Sequence, residues 1–153
     1  MEVSIDRLVP DDAVTCEEIL RSLPEWFGIE AAIRSYRRDI EDMETYVAKV
    51  ADEIVGFVTL RLHNERGAEI QVMGVQREYH RMGFGRSLVS HAEARLRQRR
   101  VKSLEVKTLG PSRPSEAYGR TRSFYEAMGF IPLEETTLIW GEDNPCLPMV
   151  KDL

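Results

Sequence analysis

A mixed α/β fold, one sheet with helices on both faces, is what this sequence of 153 residues predicts. Three observations carry that expectation. Between Tyr46 and Val75, three β-rich runs follow one another with only short polar breaks. After Gly85 the apolar period lengthens, bringing Leu88, Ala92 and Leu96 into line on one helical face. A β-rich run at Ser103–Thr108 and a second helical pattern at Ser115–Met128 then follow. Alternation of this kind buries a sheet between helical layers.

Taken in order, Val3–Val9 reads as a first strand, with Val3, Ile5 and Leu8 alternating imperfectly. Asp11 or Asp12 is placed to cap a helix carrying Val14, Ile19 and Leu20, which Pro24 ends ahead of Trp26-Phe27-Gly28. Glu30–Met43 is amphipathic, with Ile33, Tyr36 and Ile40 at helical spacing. Tyr46–Val50, Ile54–Leu62 and Glu69–Val75 are strands of an antiparallel meander, turning at Ala51–Glu53 and Asn64–Gly67. In the helix after Gly85, Leu88, Val89, Ala92 and Leu96 face the sheet, while Arg86, Glu93, Arg97 and Arg99 fall elsewhere. Ser103–Thr108 begins parallel to the strand before that helix. Gly110, Pro111 and Pro114 make 109–115 a loop, and Gly129 ends the helix at Ser115–Met128. Ile131–Trp140 and Leu147–Val150 are the expected last two strands. With no repeat, low-complexity tract or linker, residues 1–153 read as a single domain.

Composition narrows the function. Hydrophobic residues make up 42% and charged residues 31%, an ordinary globular mix. No apolar run approaches the roughly 20 residues of a membrane helix, and the first residues lack the basic-then-apolar order of a secretory signal. Cys16 and Cys146 form neither a disulfide framework nor a four-ligand metal site. The expectation is a cytoplasmic, metal-free protein with no membrane partner. Net charge is −5, yet Arg77–Lys107 holds nine basic residues against three acidic ones, leaving the rest of the chain at −11. That balance argues against nucleic-acid binding and suits a compact anionic ligand. Equally, Arg95–Lys102 complements the dipole at a helix C-terminus.

The informative stretch runs from Glu69 to Leu88, where a strand enters a turn holding Gly83 and Gly85 and then a helix. Glycines there admit close backbone approach, and the helix start offers N–H donors to phosphate. A dinucleotide fingerprint would need glycine where Leu88 stands, and a P-loop would need lysine where Arg86 stands together with a spaced upstream glycine. Neither is present. Instead His80-Arg81-Met82-Gly83-Phe84-Gly85 resembles the acyl-CoA-binding motif of the GNAT superfamily of N-acetyltransferases, Gln/Arg-x-x-Gly-x-Gly/Ala, with His80 in place of Gln or Arg. Downstream, Ser123–Phe130 resembles the helix that ends Tyr-x-x-x-Gly-Phe in that family, with Tyr118 and Thr121 where Asn and Ala are frequent. The order of elements resembles the GNAT fold over nearly the whole chain.

That resemblance implies a mostly antiparallel sheet with a splayed parallel strand pair. It also implies acetyl-CoA as co-substrate, no metal, and transfer of the acetyl group to a primary amine by direct attack. Backbone amides of Arg81, Met82, Gly83, Phe84, Gly85, Arg86 and Ser87 would receive the pyrophosphate, with Arg81 and Arg86 adding charge. Tyr118 and Phe124 would complete the donor side. The Met73 amide would polarise the thioester carbonyl, and Val75 would bond the pantetheine. Gly74, inside an apolar strand, marks a bulge or a close ligand approach.

An amine with a pKa of about 10.4 must lose a proton before attack. Glu69 is either the base, by the resemblance, or a plain strand carboxylate. Tyr125 either protonates the coenzyme A thiolate or is a packed aromatic. Trp26 and Phe27 line the acceptor pocket or pack in the core. His63 reads as a turn residue, His91 as a helix-surface residue and Cys146 as structural. Arg113 and Arg122 are placed to meet an acidic group of the acceptor or the coenzyme A phosphates. The acceptor is a small-molecule or peptide amine that the sequence does not name, and a homodimer through the last strands is common in this fold. The rival reading is a non-catalytic acyl-CoA-binding or regulatory module.

Overall fold

Antiparallel hairpins build one half of the sheet. In the computed structural model, which describes residues 2–153, β1 (Ser4–Arg7) is followed by α1 (Ala13–Arg21) and α2 (Glu30–Asp42). The meander β2 (Glu44–Val50), β3 (Glu53–Leu62) and β4 (Gly67–Val75) comes next. Ala51 and Asp52 join β2 to β3 at φ +50° and +65°, the left-handed pair that a two-residue type I′ hairpin demands. The Asn64 side-chain oxygen accepts from the N–H groups of Arg66 and Gly67 at 2.8 and 2.9 Å, closing the β3–β4 turn. Then follow α3 (Phe84–Gln98), β5 (Ser103–Leu109), α4 (Glu116–Ala127), β6 (Ile131–Pro132) and β7 (Cys146–Asp152). The strand order is β1-β2-β3-β4-β5-β7-β6, and β4–β5 is the parallel pair in an otherwise antiparallel sheet.

Strand alternation divides the core in two. On one face α1 and α2 pack Cys16, Ile19, Leu20 and Ile40 against Val47, Phe57 and Val72. On the other, Leu88, Val89, Ala92 and Leu96 of α3 meet Ala48, Val58, Leu60 and Leu104. Helices thus cover both faces, as the sequence pattern predicts.

Three expectations are corrected. Val14, on α1 as expected, is 46% exposed, because the helix packs through Ala13, Cys16, Ile19 and Leu20. Asp12 makes no side-chain cap; a single 3-10 turn at Pro10–Asp12 leads into the helix instead. Glu93 is only 4% exposed: its carboxylate lies 2.9 Å from the Lys151 ammonium of β7, which also donates to the Met128 carbonyl at 2.6 Å. The run Ile131–Trp140 is not one strand. Beyond Pro132 it keeps to β7 through the Leu133 N–H on the Pro148 carbonyl at 2.9 Å and an isolated bridge, Thr136 to Cys146. Its polar residues bond locally instead, Glu135 accepting from the Ser112 hydroxyl at 2.6 Å and Thr136 from the Leu138 amide at 3.1 Å.

Gly74 serves packing rather than a bulge. It stays in register with Phe57, and the irregularity falls at Gln71, since Leu60 faces Ile70 while the next residue back, Thr59, faces Val72. A Cβ on Gly74 would stand 3.3 Å from Ile19, 3.4 Å from Phe57 and 3.5 Å from Leu20. Glycine therefore lets α1 lie close on β4.

Candidate active site

Parallel pairing between β4 and β5 covers only Gly67–Ile70 against Ser103–Val106. Beyond it β4 stays with β3 and β5 stays with β7, so the two strands part just where Gln71 is bulged. The gap opens into a cleft of about 1340 Å³ that reaches from the α3 N-terminus to Arg61 and Trp140. Main-chain direction follows by alternation. The Gln76 N–H donates to the Val55 carbonyl of β3 at 2.8 Å, so the Met73 and Val75 main-chain groups face the opposite side, into the gap. The His80 ring Nε2 donates to the Val75 carbonyl at 2.6 Å, which leaves the Val75 N–H facing the cleft.

The turn that follows is shaped by two left-handed residues, Arg81 at φ +63° and Gly83 at φ +88°. Such turns aim successive amides into one concavity. The first amide of α3 used within the helix is that of Ser87, which donates to the Gly83 carbonyl at 3.0 Å. Phe84, Gly85 and Arg86 therefore start the helix with unpaired N–H groups, and Gly83 supplies no side-chain cap. Apart from Gly83 and its chain neighbours, no described atom lies within 4 Å of where a Cβ on Gly83 would sit, and at Gly85 that position is 3.3 Å from the Phe124 ring. Open space over bare donors, with Arg81 and Arg86 on the rim, matches the chemistry of a pyrophosphate. Two residues of the expected donor set lie outside the cleft lining. Met82 is 49% exposed on the outer side of the turn, and the Ser87 amide is already bonded.

The wall opposite is α4, capped by Ser115, whose hydroxyl accepts from the Tyr118 amide at 3.2 Å. The helix stops in a Schellman motif, Gly129 at φ +97° and the Phe130 N–H on the Tyr125 carbonyl at 3.0 Å. Tyr125 is 5% exposed, its ring edge-on to Phe124 at 5.1 Å and to Phe130 at 5.3 Å. It lines the cleft, and its hydroxyl bonds to no described residue. Burial, with a smaller contribution from Tyr118, lifts its pKa well above the ordinary tyrosine value. The packed-aromatic reading of Tyr125 thus holds for the ring, while its hydroxyl lies at the cleft.

His80, Tyr118 and Thr121, the three departures from the family pattern, all meet Trp26. Tyr118 donates its hydroxyl to the Trp26 carbonyl at 3.0 Å, the Trp26 indole N–H donates to Thr121 Oγ1 at 2.9 Å, and His80 lies edge-on to the indole at 5.9 Å. The Tyr118 hydroxyl is thus directed at the Trp26 loop rather than at the donor, and burial above all, then the Tyr36 charge, pushes its pKa up to about 12. Arg77 clamps the same loop through Glu25 at 2.6 Å. Trp26 and Phe27 both line the cleft, with Phe27 edge-on to Tyr36 at 6.0 Å.

Across the sheet the floor is polar. Arg61 faces Glu69 in register, and Glu69 faces Glu105. Glu69 is 5% exposed; Lys107 donates to its two oxygens at 2.9 and 2.8 Å, and His63 Nε2 donates at 2.8 Å. Burial works against the Lys107 charge, but the bonds and charge of Glu69, with Glu105 at 3.5 Å, hold its pKa above the ordinary lysine value. His63, Glu69 and Glu105 place ligand-type atoms within 4.8 Å of one another, and the Lys107 ammonium is the cation bonded to both carboxylates.

His63 is therefore part of the site rather than a plain turn residue. His91 packs on the Tyr46 ring at 4.8 Å. Arg113 bonds the Asn144 side chain and the Asp143 carbonyl, and Arg122 the Leu109 carbonyl, so both arginines serve loop structure. Burial raises the Cys146 thiol to about 11, which leaves it unreactive. The site residues missing from the sequence reading, Arg61, Gln71 and Lys107, come together through strand register and a bulge, which have no local sequence signal.

Comparison with known proteins agrees with this geometry. A search of curated protein sequences finds no match. A GNAT-family acetyltransferase structure from Desulfovibrio desulfuricans superposes with a TM-score of 0.86 at 16% identity, covering 99% of both chains. The ribosomal-protein-S18-alanine N-acetyltransferase of Escherichia coli reaches 0.79 at 16% identity over 99% of this chain and 94% of its own. The PaiA N-acetyltransferase of Thermoplasma acidophilum, solved with coenzyme A, reaches 0.78 at 20% identity over 100% of both chains. At these identities the likeness establishes the fold. The family model "Acetyltransferase (GNAT) family" matches residues 14–130, and the chain accordingly belongs to the GNAT acetyltransferases.

Proposed function

We propose that this protein, as a single domain over residues 1–153, transfers the acetyl group of acetyl-CoA to a primary amine by direct attack. One observation carries the reading. The gap between β4 and β5, the uncapped start of α3 and the unpartnered Tyr125 hydroxyl all face one cleft. In this reading the amides of Phe84, Gly85 and Arg86 hold the pyrophosphate, Arg81 and Arg86 balance its charge, and Phe124 packs beside it. The pantetheine lies along β4, bonded by the Val75 N–H. The Met73 N–H donates to the thioester oxygen and stabilises the oxyanion, an effect worth a few kcal/mol for a preorganised donor.

The amine nitrogen then attacks the carbonyl carbon, the C–S bond breaks, and the proton lost from nitrogen is matched by one gained at sulfur. Tyr125, kept protonated by its burial, delivers a proton to the thiolate. Glu69 takes up the amine's proton through a chain of waters rather than by contact, since it lies several residues along the strand from Met73 and both its oxygens are already bonded. Trp26 and Phe27 wall the acceptor channel. A homodimer through the β6 edge belongs to the same reading, and light scattering at the 17.6 kDa monomer mass would remove it.

Thermal shift with acetyl-CoA, against NAD and ATP, tests the donor half. Ligand at 100 times its Kd stabilises by about 2.7 kcal/mol, several degrees for a domain of this size. A selective shift, then coenzyme A release with an amine panel, supports the enzyme. No shift at millimolar acetyl-CoA refutes it, and binding without turnover of any amine points to the acyl-CoA-binding module instead.

A further inference from the structure

The charges in the acceptor half of the cleft bear on what else the amine's molecule carries. Glu69 is neutralised there, with Lys107 on both oxygens and His63 on one. Gln71, on the same face two residues after Glu69, accepts from Arg61 Nε at 3.0 Å and donates to Asp39 at 3.0 Å. Arg61 uses only its Nε in that chain. Its terminal N–H fork donates to no described side chain, and no described carboxylate lies within the 4.0 Å of an ion pair. A half-buried guanidinium on a cleft wall is always charged, and its fork matches the two oxygens of a carboxylate.

Position along the strand sets the spacing. Arg61 stands opposite Glu69, and Met73 faces Val58, three residues from Arg61 on β3. At about 3.3 Å per residue the two levels are roughly 10 Å apart, a distance that the arginine side chain only partly spans. The anion it meets is therefore several bonds from the nitrogen that reacts beside Met73. Phe27 and Tyr36 provide an apolar wall near this part of the cleft.

We propose that the acceptor is a linear amino acid whose reacting amine is separated from its carboxylate by several methylenes, with Arg61 binding that carboxylate. This rests on the acetyltransferase reading and deepens it by naming the acceptor class. An α-amine is too near its own carboxylate to span the two positions, and the cationic far end of a polyamine is repelled by Arg61.

The test is a steady-state series with glycine, β-alanine, 4-aminobutyrate, 5-aminopentanoate and 6-aminohexanoate, each paired with its carboxamide, plus spermidine. KM is expected to fall with chain length to a minimum at the longer members, with each long acid favoured over its amide on the order of tenfold to a hundredfold. In Arg61→Gln the acid-to-amide ratio collapses toward one, while acetyl-CoA still shifts Tm and so reports an intact donor half. Equal use of acids and amides by the parent overturns the proposal. So does an unchanged ratio in Arg61→Gln, turnover of spermidine above all the acids, or no turnover of the series by a protein that binds acetyl-CoA. Absence of acetyl-CoA binding in the parent removes the underlying reading as well, so the two failures are told apart.

Discussion

Replacing Tyr125 by phenylalanine separates packing from chemistry at the centre of the site. The ring is held between Phe124 and Phe130, and phenylalanine keeps that volume and both edge-on contacts. The hydroxyl has no hydrogen-bond partner among the described residues, so its loss strands no other group. A near-neutral change in stability follows, since the hydroxyl lies at the cleft and its removal neither breaks a bond nor opens a cavity. Catalysis responds in the other direction. Loss of a positioned acid costs about 10²- to 10⁴-fold, or roughly 3–5 kcal/mol of barrier at 1.36 kcal/mol per tenfold. Coenzyme A release, followed with a thiol reagent at saturating acetyl-CoA and amine, reads kcat; thermal unfolding of the same preparation reads stability. Burial raises the folded-state pKa of Tyr125 above its ordinary value, so the parent keeps this acid protonated through neutral and moderately alkaline pH. A fall in kcat below pH 10 would belong to another group. A kcat within twofold of the parent, with Tm unchanged, would refute the assignment.

Three other outcomes are expected. Gly74→Val pushes a branched side chain into the Ile19, Leu20 and Phe57 contacts at 3.3–3.5 Å, and urea unfolding should show a loss of about 1–3 kcal/mol. An unchanged midpoint would mean that α1 does not lie that close to β4. Glu93→Ala leaves the Lys151 ammonium without its carboxylate in a largely buried position and should cost about 3 kcal/mol, at the lower end for breaking a buried pair. The double variant Glu93→Leu/Lys151→Met should recover most of that loss, and simple additivity of the two changes would count against the pairing. At low pH, Glu25 and Glu30 matter. Arg77 and Arg21 hydrogen bonds respectively hold their carboxyls at about 2, down from 4.5. A depressed folded-state pKa contributes stability above the unfolded value and loses it as pH falls through the folded value. The denaturation midpoint should therefore drop between pH 4.5 and 2, less steeply in Glu25→Gln/Glu30→Gln. Parallel slopes would deny these pairs a role.

Local signals marked most of the elements. The helix of Leu88, Ala92 and Leu96, its glycine-rich start and the Gly129 stop all lie within a few residues of the features they create, so propensity and spacing suffice to read them. The miss at Ile131–Trp140 has the same basis. Its apolar residues suggested a strand, but Glu135 and Thr136 found side-chain and loop partners 23 and two residues away, Ser112 and Leu138. Glu93 was misplaced because helical periodicity alone put it off the core stripe, while its partner Lys151 comes from the last strand.

The sequence by itself determined the glycine-rich turn and helix start at one end of the cleft. A strand, a turn with Gly83 and Gly85, and a helix start are contiguous, and their chemistry toward phosphate is a property of the local backbone. Only the tertiary structure decided the polar end of the cleft. Lys107 reaches Glu69, and Arg61 reaches Gln71, because β3, β4 and β5 pair in one register and part at one bulge. Trp26 is held by residues 92 and 95 positions along the chain. Register is set by the packing of both sheet faces together, so no short stretch of sequence contains it.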